Sequence, residues 1–247
     1  MSPASRSSKI EQRGMIPHTP AMRNDQHGPL TISLLLCLLG VGACLLSGCS
    51  DAAAGSNSDS VLVVIDAGHG GRDPGAVYGE VHEADVNLEI AKRVSALIEA
   101  DERLDVRMTR TLDIYVTLQN RIAVANETKA NLYLSIHADA SPGYPEATGV
   151  MTLVSDTLDD GDPSWQFAEI VQSAMSTATG ARDRGVRAQE LHLHRAKMPA
   201  ALVEVGFLSN DSERVSLTEP HYQQTIADGI YRGIVSYLEY ADPTFGE

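Results

Sequence analysis

Cysteine is scarce in this chain of 247 residues, and none occurs after position 49. The three that exist, Cys37, Cys44 and Cys49, lie within or just after one apolar segment. The rest of the chain can therefore form no disulfide, and no thiolate can act there as a nucleophile or metal ligand. Any metal site in it must use other side chains.

Basic residues are also few, because 19 lysines and arginines stand against 33 aspartates and glutamates, for a formal net charge of −14. Such a surface repels nucleic acid and anionic lipid headgroups, so we expect neither as a ligand. A nucleotide-binding loop is excluded as well. The pattern Gly68-x-Gly70 would need a third glycine where the chain has Asp73, and no Gly-Lys-Ser/Thr sequence occurs.

One long apolar run covers residues 30–46 and leads into Leu46-Ser47-Gly48-Cys49. This ending resembles a bacterial lipobox, so we predict that residues 1–49 are a signal peptide and that Cys49 is lipidated. The alternative is an uncleaved transmembrane anchor, although the run is near the lower length limit for a spanning helix. Both interpretations predict an exported protein anchored to a membrane on its extracytoplasmic side, in the periplasm or cell envelope.

After this leader the sequence predicts a tether, one domain and a tail. Residues 50–60 are small and polar, which is typical of a flexible tether. In residues 61–240 short apolar runs alternate with segments of helical periodicity, and residues 241–247 form the tail. This alternation predicts a single α/β domain whose twisted, mostly parallel central sheet is flanked by helices. We expect strands at 61–65, 104–110, 131–137, 149–154 and 200–205, and helices at 83–100, 115–130, 165–177 and 220–240.

The first predicted strand ends in the loop "DAGHGGRDPGA", which holds four glycines and one histidine, His69. Ligands of open α/β sheets bind at the carboxyl ends of strands, and glycines let the backbone turn tightly around a side chain there. His137 ends a second predicted strand in the same way, and Glu83 begins the helix after the glycine loop. We expect these three side chains to meet at one edge of the sheet.

Two histidines and one glutamate form the ligand set of a catalytic zinc site that keeps its fourth position for water. The sequence therefore predicts that His69, Glu83 and His137 bind Zn²⁺. A further carboxylate, Glu204, ends the apolar strand "PAALVEV", where a charge without a partner or a function would be costly. We assign Glu204 as the catalytic general base.

Five segments in order resemble the zinc-dependent N-acetylmuramoyl-L-alanine amidases of the type 3 family, which hydrolyse bacterial peptidoglycan. They are "IDAGHGGRDPGA", "EADVNL", "TRTLDIYVTLQNRIAVAN", "SIHADA" and "MPAALVEVGFLSND". The resemblance implies the same zinc ligands and the same catalytic Glu204. It also implies that the substrate is the amide bond between N-acetylmuramic acid and the L-alanine of the stem peptide, cleaved for cell-wall remodelling, cell separation or recycling.

The chain departs from this family at two places. The motif around the third ligand commonly has asparagine where this chain has Asp139, which adds a negative charge near the metal. Regulated members carry a long insertion, with a helix that plugs the zinc site, after the strand predicted here at 149–154. Only "SDTLDDGDPS" follows that strand here, so we predict an open site. The sequence identifies no activator protein.

Other polar residues near these motifs have less specific interpretations. Asp66 and Asp73 could orient the glycine loop or a ligand histidine, as could Asp139, although Asp66 could simply end its strand. We expect His82 to face solvent beside Glu83.

For two further pairs of residues the sequence favours a structural role. His192 and His194 alternate along a predicted strand, so one of them could line the cleft, but the structural interpretation is favoured. Arg110 and Arg121 are interpreted as anchors for helix and loop.

Two rival functions share parts of this pattern. A zinc carboxypeptidase or endopeptidase acting on stem peptides would use similar residues on a neighbouring bond, and only its products would differ. A non-catalytic wall-binding lipoprotein would be expected to lack a ligand or Glu204, and this chain retains all four residues. The sequence therefore favours the amidase.

Overall fold

Six strands form a central sheet in residues 60–246, the part of the chain that the computed structural model describes. The predicted signal peptide, Cys49 and nearly all of the tether lie outside these residues. With a separate two-stranded hairpin, the described residues contain eight strands. They are β1 (Val61–Ala67), β2 (Val77–Tyr78), β3 (Val81–His82), β4 (Leu104–Met108), β5 (Leu132–Asp139), β6 (Val150–Ser155), β7 (Asp183–Gln189) and β8 (Ala200–Phe207). The two shortest, β2 and β3, pair as a separate hairpin.

The sheet has the strand order β4-β1-β5-β8-β6-β7. Its neighbouring strands run parallel except at β8, where β6 pairs in the antiparallel sense. This confirms the predicted α/β class with a mostly parallel sheet. The strands β1, β5 and β8 therefore deliver their carboxyl ends to the same edge, next to one another.

The helices are α1 (Glu83–Glu99), α2 (Leu118–Thr128), α3 (Pro163–Thr179), α4 (Asp211–Thr218) and α5 (Pro220–Ala241), with a short 3₁₀ helix at His192–Arg195. Side-chain caps fix where several of them begin. The side chain of Thr117 accepts a hydrogen bond from the backbone N–H of Asn120 at the start of α2, and Asp162 does the same for Ser164 in α3. Such caps satisfy backbone donors that have no partner inside the helix.

The two faces of the sheet bury different clusters. On one face α1, α3 and α5 pack over alternate strand residues such as Ile65, Ile136 and Val203. On the other face α2 and the 3₁₀ helix cover a smaller cluster that includes Val64 and Tyr133. Side chains along a strand alternate between the two faces of the sheet. The polar residue two positions after Val64, and those two and four positions after Tyr133, therefore lie on the face of the smaller cluster.

Two segments differ from the sequence-based expectation. The prediction of a strand around His192 and His194 was wrong, because these residues lie in the 3₁₀ helix that covers the sheet face beside α2. The segment closes backbone hydrogen bonds within itself, such as the one from Ala196 N–H to Leu193 C=O. Strand β7 was not predicted because it is a polar edge strand, "DRGVRAQ", whose side chains are mostly exposed.

None of the helices in the described residues is both long and apolar enough to cross a membrane.

Candidate active site

Three side chains converge at the carboxyl edge of the sheet. Oε1 of Glu83 lies 3.1 Å from Nε2 of His69 and 2.8 Å from Nδ1 of His137. One ligand atom from each residue falls within 4.8 Å of the others. The glycine loop supplies His69, the first turn of α1 supplies Glu83, and β5 supplies His137.

The backbone at His69 is held in an unusual conformation. Its φ angle is +58°, in the left-handed region that residues other than glycine seldom adopt. Two buried arginines bind the surrounding carbonyl groups: Arg121 donates to those of Ala67 and His69, and Arg110 donates to those of Ala67 and Gly68. These bonds support the expectation that both arginines are anchors, and they keep the strained turn in place.

Two glycines in the loop are required by space. A Cβ atom on Gly68 would overlap the imidazole ring of His137. A Cβ atom on Gly75 would lie 2.5 Å from Oε2 of Glu83 and 2.7 Å from the ring of His69, and Gly75 also has a φ of +66°. The loop backbone therefore lies directly against the three converging side chains.

Glu83 is oriented by further hydrogen bonds. The backbone N–H of Ala76 donates to its Oε2, and Nδ2 of Asn87 lies 3.3 Å from its Oε1. Burial disfavours the charged carboxylate, but hydrogen bonds from His137 and His69 outweigh burial and hold the pKa of Glu83 well below its ordinary value. Glu83 is therefore ionised at neutral pH and points at both histidines.

Asn87 was missed as a site residue, although a signal for it exists in the sequence. It lies four residues after Glu83 on α1, so the two side chains share one helix face. Its Nδ2 also donates to the carbonyl of Gly68 at 3.4 Å, which connects the glutamate to the glycine loop.

Glu204 lies beside this cluster. In the pairing of β5 with β8 it stands directly opposite His137, on the same face of the sheet. Its Oε2 is buried and has no hydrogen-bond partner among the described residues. Burial, and then the nearby charges of Asp139 and Glu83, raise the pKa of Glu204 well above its ordinary value. A buried carboxyl oxygen without a partner is costly, so its natural partner is a bound ligand.

The three aspartates proposed to support the site occupy different positions. Asp73 accepts a hydrogen bond from Nδ1 of His69 at 2.9 Å. Asp66 bonds neither histidine and instead pairs with Arg121 at 2.7 Å, so it reaches the loop through that arginine. Asp139 accepts a hydrogen bond from the backbone of its own neighbour, and burial raises its pKa.

The donor set fits a divalent transition metal. When Nδ1 of His69 keeps its proton and donates it in the hydrogen bond to Asp73, loss of the proton on Nε2 leaves a neutral ring whose Nε2 lone pair points at the carboxylate of Glu83. Two acceptors then face each other at 3.1 Å, and a cation between them converts repulsion into attraction. Two imidazoles and one carboxylate are ligands that zinc and similar metals accept.

The cluster can be reached from solvent. The side chains of His69 and His137 are 25% and 20% exposed. The connection from β6 to α3 contains no helix, as expected from its length.

A cavity of about 280 Å³ opens beside the two histidines. Val116 and Ile122 line one wall, Leu191 and His192 of the 3₁₀ segment line the other, and Tyr133 lies on the floor. The cavity therefore offers space for part of a substrate next to the cluster. His192 faces it, whereas His194 is exposed and bonds the carbonyl of Leu191.

Comparison with known proteins places the chain in a family. The family model described as N-acetylmuramoyl-L-alanine amidase matches residues 63–236. The chain belongs to this family. It is an enzyme, an amidase that acts on peptidoglycan, as the resemblance of its motifs implied.

Relatives of the amidase agree in sequence and in structure. The uncharacterized protein YqiI of Bacillus subtilis is 35% identical over 208 residues, which cover 84% of this chain and 97% of YqiI. The N-acetylmuramoyl-L-alanine amidase LytC of the same species is 37% identical over 176 residues, but this chain spans only 35% of its length. The crystal structure of an N-acetylmuramoyl-L-alanine amidase from Clostridium difficile 630 matches with a TM-score of 0.71 and 36% identity, covering 74% of this chain and 98% of that one.

One expectation about the surroundings of the amidase site also agrees with the structure. His82 precedes α1 and is exposed, so it faces solvent.

Proposed function

We propose that this amidase cleaves the bond between N-acetylmuramic acid and L-alanine with Zn²⁺ held by His69, Glu83 and His137. In this proposal Glu204 is the catalytic general base. One observation carries it: a single carboxylate oxygen of Glu83 lies within 3.1 Å of both imidazoles, with Glu204 opposite His137 on the next strand. No other described group of three such side chains comes together in this way.

A zinc ion bound there supplies a Lewis acid for the scissile carbonyl and makes water a usable nucleophile at neutral pH. The chain's own residues do the rest. Asp73 holds the proton of His69 on Nδ1, which leaves Nε2 free to act as a ligand. Without the metal the pKa of Glu83 already lies well below its ordinary value, and a cation bound at the carboxylate would also favour its ionised form.

Glu204 moves the proton in this mechanism. Its carboxylate accepts a proton from the attacking water and returns it to the leaving amine of L-alanine. Such positioned acid–base catalysis typically contributes about 10²- to 10⁴-fold. The unpaired Oε2 gives the group one oxygen that no neighbouring residue occupies.

The location of the enzyme follows from its leader. Peptidoglycan lies outside the cytoplasm, and residues 1–49 have the pattern of a signal peptide with Cys49 as the lipidation site. Residues 50–60 then form the tether, 61–240 the catalytic domain and 241–247 the tail. The anchor would hold the enzyme at the membrane surface, within reach of the wall.

Mass spectrometry of the digestion products tests the proposal. The purified protein is incubated with peptidoglycan, with and without a zinc chelator. We expect stem peptides with a free L-alanine amine, released only in the presence of zinc. Cleavage within the stem peptide would instead indicate a peptidase, and an absence of zinc-dependent products would contradict the proposed reaction.

A further inference from the structure

The cavity beside His69 and His137 has apolar walls. Val116 just before α2 and Ile122 within it line one part of the cavity, and Leu191 and Leu193 at the start of the 3₁₀ helix line another. Apolar walls favour groups that lose no hydrogen bonds on leaving water, such as methyl groups and the faces of sugar rings.

The cavity lining offers no unpaired lysine or arginine among the described residues. Of the described residues that line it, only Arg121 is a lysine or arginine. Each nitrogen of its guanidinium already donates a hydrogen bond, to the carboxylate of Asp66 or to the carbonyls of Ala67, His69 and Val116. The Asp66 carboxylate is engaged in turn, by Arg121 and by the hydroxyl of Ser135.

Two further carboxylates line the cavity. Asp73 is held by His69, and Glu190 is exposed. Among the residues that line the cavity, an anionic group would face these two carboxylates and no unpaired arginine or lysine, so the proposed zinc at the histidine end would be its one cationic partner within that lining.

The two sides of the scissile amide differ in charge. On the glycan side the substrate offers an uncharged sugar with two methyl groups, one in the N-acetyl group and one in the lactyl arm. On the peptide side, the L-alanine leads into residues that bear carboxylates. The cavity therefore matches the glycan side and disfavours the peptide.

We propose that this cavity binds the N-acetylmuramoyl group and that the stem peptide lies outside it, over the exposed side of the site. The proposal rests on the amidase function proposed above. A volume of about 280 Å³ is near the lower end of ligand pockets, roughly 300–1,000 Å³, so it suits one sugar with its substituents rather than a longer glycan. Residues in and just before α2 and the 3₁₀ helix thus determine which glycan the enzyme accepts.

Binding measurements with the two halves of the substrate test this assignment. The probes are the uncharged methylamide of N-acetylmuramic acid and the free stem peptide, titrated by calorimetry into the full zinc-loaded chain carrying Glu204→Gln to prevent turnover. Leu191→Trp fills the cavity from one wall and Val116→Phe from the other. Val215→Trp, at an exposed position on α4, is the matched control.

We expect either filling variant to weaken binding of the muramoyl probe at least tenfold while the affinity for the stem peptide stays within twofold. The control should change neither. Because the two variants fill the cavity from different walls, the test still works if one of them fails to fold, which circular dichroism would reveal. The proposal is overturned if filling the cavity weakens binding of the stem peptide instead, or if it changes the affinity for neither probe. It is also overturned if the muramoyl probe does not bind the protein that carries Glu204→Gln alone.

This result is separate from the test of the proposed reaction. Muramoyl binding that depends on the cavity, in a protein that hydrolyses no muramoyl-L-alanine amide, would leave the binding site in place and reject the proposed function. Hydrolysis of this amide by a protein whose muramoyl binding does not depend on the cavity would support the proposed function and reject the proposed binding site.

Discussion

His137 and Glu204 stand directly opposite each other on the neighbouring parallel strands β5 and β8. One is a proposed zinc ligand, and the other is the proposed general base. The pairing of the strands therefore fixes, through main-chain hydrogen bonds, where the metal site and the base lie relative to each other. The two roles belong to different side chains, so mutation can test them separately.

Replacing Glu204 by glutamine should remove activity and spare the metal. The amide keeps the shape of the side chain but cannot take a proton, so we expect turnover to fall by about 10²-fold or more. Zinc content, measured by atomic emission, should stay at the level of the unmodified protein because His69, Glu83 and His137 are unchanged. Near-normal hydrolysis of peptidoglycan by the variant would reject Glu204 as the base.

The meeting of His69, Glu83 and His137 could be predicted from the sequence because it depends on a general property of the fold. His69 follows the carboxyl end of β1 and His137 lies near that of the parallel strand β5, so the two must meet at one edge, and a helix that begins with Glu83 after the loop must begin near them. The position of Glu204 beside the cluster could be predicted as well, because a glutamate in an apolar strand is costly without a partner or a function, whereas its catalytic role stays a prediction.

Other features depend on contacts that local patterns do not encode. The pair Asp66–Arg121 joins residues far apart in the chain, and neither side chain signals the other. The antiparallel direction of β6 was also not predictable, because an apolar run has the same pattern in either direction. The 3₁₀ helix at His192 was missed because alternating residues over a few positions fit a strand equally well.

Removing the carboxylate of Asp73 should weaken metal binding without unfolding the protein. Asp73→Asn loses the charge that holds the proton of His69 on Nδ1, so the ring is no longer fixed for binding through Nε2. Substitutions of this kind cost about 10- to 100-fold in metal affinity. Competition with a zinc chelator measures the change. Asp156→Asn, at an exposed turn residue, is the control, and equal affinities of the two variants would contradict the role of Asp73.

A methyl group at Gly68 should displace His137. The added Cβ of Gly68→Ala would overlap the imidazole ring, and the loop cannot retreat because Arg110 holds its carbonyl. We expect reduced zinc binding and loss of activity, with secondary structure retained. Gly143→Ala, which adds a methyl group where no atom lies within 4 Å, should behave like the unmodified protein. Normal zinc content in Gly68→Ala would show that the ring of His137 can move.

The buried pair Asp66–Arg121 should make the free energy of unfolding depend on pH in the acidic range. Burial disfavours the charge of Asp66, but Arg121 and hydrogen bonds from Thr109 and Ser135 outweigh it, so its folded pKa lies below the ordinary value. Its contribution is complete above the unfolded pKa of about 3.9 and is lost as the pH falls from there through the lower folded pKa.

Urea unfolding at several pH values between 7 and 3 measures this dependence. We expect Asp66→Asn to be less stable at pH 7 by about 3–5 kcal/mol, since it leaves the charge of Arg121 buried and unpaired. The difference between the variant and the unmodified protein should shrink as the pH falls below 4. A difference that stays constant with pH would mean that the charge of Asp66 is not what stabilises the fold.

The packing of α5 on α3 should not tolerate even one added methyl group at Gly233. A Cβ there would lie 2.7 Å from the Cα of Val171, a backbone atom that can move only if α3 shifts. Alanine is the better helix former by about 1 kcal/mol, and overpacking costs about 1–3 kcal/mol, so the two effects oppose each other. We expect packing to prevail and Gly233→Ala to lower the melting temperature. Gly161→Ala, with open space around its Cβ, should leave it unchanged, and a stabilised Gly233→Ala would show that the helices can separate at little cost.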